Sequence, residues 1–90
     1  MSDERLGRDA MLEQLRGLMA KVFGVAVERI GADTTPDEIP RWDSLNLLTV
    51  MIGIERRLGI SVPPEALEGV RDVGGVADAI LRHALNGAPA

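Results

Sequence analysis

The chain has no cysteine and no tyrosine, and only one phenylalanine and one tryptophan in 90 residues. Without a thiol there can be no disulfide framework, no cysteine nucleophile and no thiolate-ligated metal; the pattern fits a reducing compartment, and a cytoplasmic protein is expected. So few aromatic residues leave the core to aliphatic side chains. No apolar run approaches the length of a membrane span, so no membrane insertion is expected, and Met1-Ser2-Asp3-Glu4 is not the start of a signal peptide. Positive charge is also scarce: ten Lys and Arg stand against fourteen Asp and Glu, a net charge of -4. That balance argues against a binder of nucleic acid and for partners with basic surfaces. Nothing repeats internally, and no segment is of low complexity.

What is present is helical periodicity interrupted by turn signals. The length suits one domain, residues 1–90, with an ordered core over 9–85 and flexible ends at 1–8 and 86–90. Met11, Leu12, Leu15, Leu18, Met19, Val22 and Phe23 recur at three- and four-residue spacing, which predicts a first helix capped by Asp9 and ended by Gly24. A long connection follows over about 24–43, marked by Thr34-Thr35-Pro36-Asp37 and Ile39-Pro40, with Val25, Val27 and Ile30 expected to tuck onto the core. A second helix is predicted from Ser44 to Leu58, stopped by Gly59. Its apolar residues cover well over half the circumference, so it is either enclosed or touches something apolar beyond the core; Leu47 is the expected surplus residue. Pro63-Pro64-Glu65 predicts a short third helix closed by Gly69. Asp72 is the expected cap of a fourth, along which Val73, Val76, Ala77, Ile80, Leu81, Ala84 and Leu85 keep helical spacing. Gly74 and Gly75 would weaken its first turn by about 1 kcal/mol each relative to Ala, unless helices approach closely there.

Ser44 is the residue on which a function can be built. A serine ahead of a helix is most often a cap. Here, however, Asp43 is better placed, because its carboxylate reaches the N–H of Asn46 and leaves the Ser44 hydroxyl free. A phosphate ester on that oxygen would lie at the positive end of the helix dipole. Competing sites are weak. His83, the single histidine, has no nucleophile near it in sequence and suits the end of a helix. Asp33, Asp37 and Glu38 lack the spacing of a cation loop, and Gly74-Gly75 lacks the strand and lysine of a phosphate loop. No metal site and no catalytic residue are expected.

Asp43-Ser44-Leu45 opening a long apolar helix, followed by Glu55-Arg56-Arg57-Leu58-Gly59-Ile60-Ser61-Val62-Pro63, resembles the acyl carrier protein family. The likeness runs without apparent gaps from Val25 through Ile80, and the first helix fits its place as well. The resemblance implies an all-α four-helix bundle, three longer helices and one short, with a long loop between helices one and two. It implies 4'-phosphopantetheine esterified to Ser44 by a phosphopantetheinyl transferase, and acyl groups carried on the arm as thioesters to acyl-loading and acyl-processing enzymes by a monomeric, non-catalytic protein. Asp43, Leu45, Leu47 and Glu55 are the implied partner contacts. Leu45, Leu48, Met51, Ile52, Val62 and Leu67 either form ordinary core or line a site for a short acyl chain.

The chain also departs from that family. Asn46 and Thr49 stand where relatives often carry acids, and Arg56 and Arg57 offset Asp43 and Glu55, so electrostatic steering of partners should be weak. Pro36 occupies an aromatic core position, with Ile39 and Trp42 available to fill the space; Trp42 either shields the core or sits exposed beside the arm. These departures point to a specialised, free-standing carrier in lipid, fatty acid or polyketide biosynthesis. Two alternatives stand: a carrier of aminoacyl or peptidyl groups, whose relatives tend to have Gly-His where this chain has Trp42-Asp43, and a helical adaptor of the same fold without an arm.

Overall fold

Apolar side chains four residues apart drift slowly around a helix and make one stripe. Met11, Leu15, Met19 and Phe23 are such a series, and all four are buried on helix α1, Arg8–Phe23. The computed structural model describes residues 7–85, with side chains through His83; the flexible ends expected at 1–6 and 86–90 lie outside the described residues. Helix α1 begins two residues earlier than a cap at Asp9 would place it. Gly7 takes the cap position in an extended conformation, and Asp9 falls in the first turn, where its charge still suits the dipole. Arg8, expected within a flexible end, instead pairs with Asp78 at 2.8 Å. That hydrogen bond and the carboxylate's charge raise the guanidinium above its ordinary pKa. Gly24 ends the helix with φ 72° and donates to the Ala20 carbonyl.

The connection to helix α2 is fastened at both ends and in the middle. It contains two 3₁₀ turns, Val27–Arg29 and Pro36–Glu38. Ile30 and Ile39 are buried in the core, while Val25 and Val27 are only partly covered. From α1, Arg16 donates to the Ile30 carbonyl and, at 3.0 Å, to that of Val27. Thr34, the one buried polar residue among those described, accepts from the Gly31 N–H at 2.8 Å. Glu38, one of the three loop acids that lack cation-loop spacing, accepts from both the N–H and the hydroxyl of Thr35.

Helix α2, Ser44–Leu58, starts on Asp43 and stops at Gly59, whose φ of 68° lets its N–H reach the Glu55 carbonyl. Val50, Met51 and Ile54 face the core. Gly53 lies against Leu18 of α1: a Cβ there would sit 3.2 Å from the leucine methyls. The expected short third helix is a single 3₁₀ turn, Pro64–Leu67, held toward α2 because the Glu55 carboxylate accepts from the Val62 N–H at 2.7 Å.

Helix α3, Val73–Leu85, buries Val73, Val76, Ala77 and Ile80 completely. A helix start leaves N–H groups without intrahelical partners, and those of its first three residues all find acceptors here. Those of Val73 and Gly74 donate to the loop carbonyls of Thr34 and Ala32, at 3.0 and 2.8 Å. That of Gly75 donates to the Asp72 side chain at 2.8 Å, as the predicted capping role requires, and the Val76 N–H makes the first regular helix bond, to the Asp72 carbonyl. Gly74 is explained by close approach from two sides, helix α1 as expected and the loop in addition: a Cβ would lie 2.7 Å from the Arg8 guanidinium of α1 and 3.1 Å from the Ala32 oxygen. The protein is all-α, with three α-helices and no strand among the described residues.

Candidate functional site

The backbone ahead of Ser44 is tied down residue by residue. The Arg41 carbonyl accepts from the Asp43 N–H at 3.0 Å and from the Asn46 side-chain amide at 2.8 Å. The Asp43 carboxylate accepts from the Asn46 N–H at 2.9 Å, and the Asp43 carbonyl from that of Leu47 at 2.9 Å. Trp42 donates its N–H to the Ile39 carbonyl, and its ring stacks on Phe23 with centroids 5.8 Å apart and planes at 21°. Trp42 is half-buried and shields Phe23, the first of the two roles open to it. Pro36, at the supposed aromatic core position, is exposed; Ile39 is the residue buried there.

Ser44 is the first residue of α2 and is exposed. Because Asp43 is the cap, the serine hydroxyl is not needed for helix initiation. The unpaired N–H groups of the first turn favour negative charge beside it, and no acidic side chain occupies that turn.

Two grooves meet at this residue. The larger, about 570 Å³, runs between α2 and the Ser61–Glu68 segment, with Leu47, Leu48, Met51, Val62, Pro63 and Leu67 as apolar lining and Glu55, Ser61 and Glu68 as polar lining. The smaller, about 220 Å³, lies on the loop side between Pro36, Trp42, Asp43 and Leu47. Leu47 divides them, since it lines both, and it also packs against the core. Leu45 and Ile52, grouped with Leu48 and Met51 as either core or acyl-chain lining, line neither groove and are exposed.

Those two leucine-like positions belong to a different surface. Leu45, Leu48 and Ile52 are 72%, 48% and 46% exposed, and their three- and four-residue spacing puts them on one stripe of α2 beginning beside Ser44. The surplus apolar surface foreseen on this helix thus exists, but Leu47 is not its centre. Glu55 spends one carboxylate oxygen on Val62. Sequence reasoning missed the anchoring roles of Asn46 and Arg16; the amide side chain at Asn46, where an acid is commoner, was the available signal. His83 lies with Glu65, Glu68 and Arg82 at a separate cleft of about 330 Å³. Among the described residues no three His, Asp or Glu side chains are grouped to hold a metal ion, and no helix is long and apolar enough to cross a membrane.

A rigidly held, exposed serine at a helix start, free of capping duty and flanked by grooves, is the framework of a protein that bears a prosthetic arm. Comparison with known proteins agrees. The phosphopantetheine attachment site family matches residues 13–80. The chain is similar to the acyl carrier protein of Clostridium perfringens, 27% identical over 73 residues that cover 81% of this chain and 96% of the relative. It is also similar to the acyl carrier protein of Saccharopolyspora erythraea, 28% identical over 76 residues, 84% of this chain and 80% of that one. The chain belongs to this phosphopantetheine-bearing acyl carrier family, and 4'-phosphopantetheine is its prosthetic group.

Proposed function

We propose that Ser44 carries the 4'-phosphopantetheine arm and that the protein holds acyl groups on it for delivery to biosynthetic enzymes, with no catalytic site of its own. The observation that carries this reading is the exposed Ser44 hydroxyl on the first residue of α2, released from capping by Asp43. The arm would supply the terminal thiol that a chain without cysteine lacks. The protein's share is positional: tethering raises the local concentration of cargo at a docked enzyme, and the fixed Arg41–Asn46 segment sets where the tether begins. The Pro64–Leu67 turn takes the place of the short third helix, and the larger groove is the resting place for a short acyl chain, its size falling in the range of ligand pockets.

The phosphopantetheinyl transferase and the acyl-loading and acyl-processing enzymes dock, in this reading, on the Leu45–Leu48–Ile52 stripe with Asp43 at its head. Leu47 and Glu55 contribute at its margin. From Ser44 through Ile54 the helix carries no charge, so contact is apolar and steering weak. The protein acts as a monomer in the cytoplasm.

Incubation with coenzyme A and a broad-specificity transferase, followed by intact-mass measurement, tests the attachment. The expected result is a gain of one phosphopantetheine in the parent chain and none in Ser44→Ala, with both giving the same helical circular dichroism. A loaded alanine variant, or a parent chain that never takes the arm, would contradict the proposal.

A further inference from the structure

The smaller groove is too confined to be a second cargo site, and its wall is the chain's single tryptophan. At about 220 Å³ it falls below the range of about 300–1,000 Å³ typical of pockets for drug-sized ligands, whereas the groove on the other side of Leu47 falls within it. What it offers is a short apolar corner that starts at Ser44 itself, formed by Pro36, Trp42 and Leu47. The corner is preorganised. Phe23, almost fully buried, stacks on the indole with ring centroids 5.8 Å apart, and Trp42 is at the same time a lining residue of the groove. The main chain on either side is fixed by the Trp42 N–H to Ile39 and by the two hydrogen bonds onto the Arg41 carbonyl. A surface already rigid loses little entropy when something settles on it.

The occupant follows from the chemistry of the arm. Going outward from the serine oxygen, phosphopantetheine presents a phosphate, one methylene, and then a carbon bearing two methyl groups. Its first apolar group therefore has to lie close to the attachment point. The amides and the thiol come later and can reach elsewhere. Resting on the reading of Ser44 as the attachment site, we propose that Trp42, Pro36 and Leu47 hold the geminal-dimethyl segment of the arm, so that the arm leaves Ser44 on the loop side of α2. Leu47 is then the divider between the root of the arm and the groove for its cargo. Tethering makes even a weak contact populated, because the segment is held at high effective concentration beside the ring. Trp42 is in consequence a positioning residue for the arm and, as the only tryptophan, an optical reporter of it.

The test uses the full chain loaded from coenzyme A whose geminal methyls carry ¹³C. Intact mass establishes loading, isotope-filtered NOEs read contact between those methyls and the indole protons, and acrylamide quenching reads the exposure of Trp42. The expected result is a methyl–indole NOE in the loaded protein, with quenching lost relative to the unloaded chain. Pro36→Ser, a change at an exposed residue, should load fully yet weaken the NOE and restore part of the quenching. Trp42→Phe, which keeps a ring against Phe23, should still load and should show the NOE transferred to the new ring. A loaded parent chain with no NOE from the methyls to the indole overturns the proposal and leaves the Ser44 reading intact. A parent chain whose mass never changes sinks both, and the mass alone tells the two failures apart.

Discussion

At Asp43, a carboxylate and a carboxamide are interchangeable as caps but not as charges. Ser44 is presented by Asp43 and Asn46, and the two act in different ways. Asp43→Ala removes the acceptor for the Asn46 N–H and should lower stability by about 1 kcal/mol in urea denaturation. Asp43→Asn keeps an equivalent cap and should leave the urea midpoint nearly unchanged, so any effect it has on transferase KM belongs to the charge. Asn46 looked, in sequence, like a missing negative charge on a docking helix. Its side chain instead donates to the Arg41 carbonyl, which an aspartate cannot do. Asn46→Asp should therefore cost about 0.5–1.5 kcal/mol, toward the low end because the bond is exposed, rather than act as a neutral gain of acidity. Equal urea midpoints for the parent and Asn46→Asp would show that the bond does not hold the site together. The cap was legible because its partner lies three residues away on a helix already marked by periodicity. The Asn46 amide was not, because its acceptor comes into reach only after the chain has turned at Arg41.

Within the helices, glycine positions separate local propensity from packing. Gly17 lies in the interior of α1 on an exposed face, and a Cβ there would meet nothing within 4 Å. Gly17→Ala should raise stability by about 0.5–1 kcal/mol, the backbone-entropy gain alone. Gly74→Ala offers the same gain of about 1 kcal/mol, but the new methyl would press on the Ala32 oxygen, which cannot withdraw without losing its bond to the Gly74 N–H. Overpacking of about 1–3 kcal/mol outweighs the gain, so this variant should be destabilised; opposite shifts of the thermal midpoint are the readout. The exposed stripe on α2 behaves as a functional surface of the same element. Leu45→Gln should alter stability by no more than about 0.5 kcal/mol, whereas Leu48→Gln and Ile52→Gln, at side chains about half covered, should each cost about 1 kcal/mol without unfolding the protein. The transferase KM should rise in the triple variant, and for the parent it should vary little with salt, since the first eleven residues of α2 are uncharged. A KM that climbs steeply with salt in the parent would transfer the docking role to charged residues elsewhere.

Across the whole molecule, the parts written locally in the sequence were the readable ones. Helix spacing, the caps at Asp43 and Asp72 and the stops at Gly24 and Gly59 all depend on residues a few positions apart. The 3₁₀ character of Pro64–Leu67 was hidden because a proline-led start looks alike in either helix type. The fastening of the long connection was hidden too, because it joins residues far apart in the chain: Arg16 to Val27 and Ile30, and the Ala32 and Thr34 carbonyls to the start of α3. These bonds make one chain of support. α1 holds the connection through Arg16, the connection caps α3, and its far end sets the position of Ser44. Arg16→Met keeps the apolar stem but leaves two partly buried carbonyls without their charged donor, at a cost of about 1.5–3 kcal/mol. Arg16→Lys should recover only part, because a single ammonium cannot reproduce the fork that spans both oxygens. If the support is continuous, hydrogen exchange at the Val73 and Gly74 amides should accelerate in Arg16→Met, although neither touches residue 16, because their acceptors ride on the loosened segment. Exchange at the Val50 and Ile54 amides, inside α2, should rise only as far as global unfolding allows. Unchanged protection at Val73 and Gly74 would mean that the connection is held at α3 independently of Arg16, and the placement of Ser44 would then rest on the Phe23–Trp42 stack and the local bonds among Ile39, Arg41, Trp42, Asp43 and Asn46.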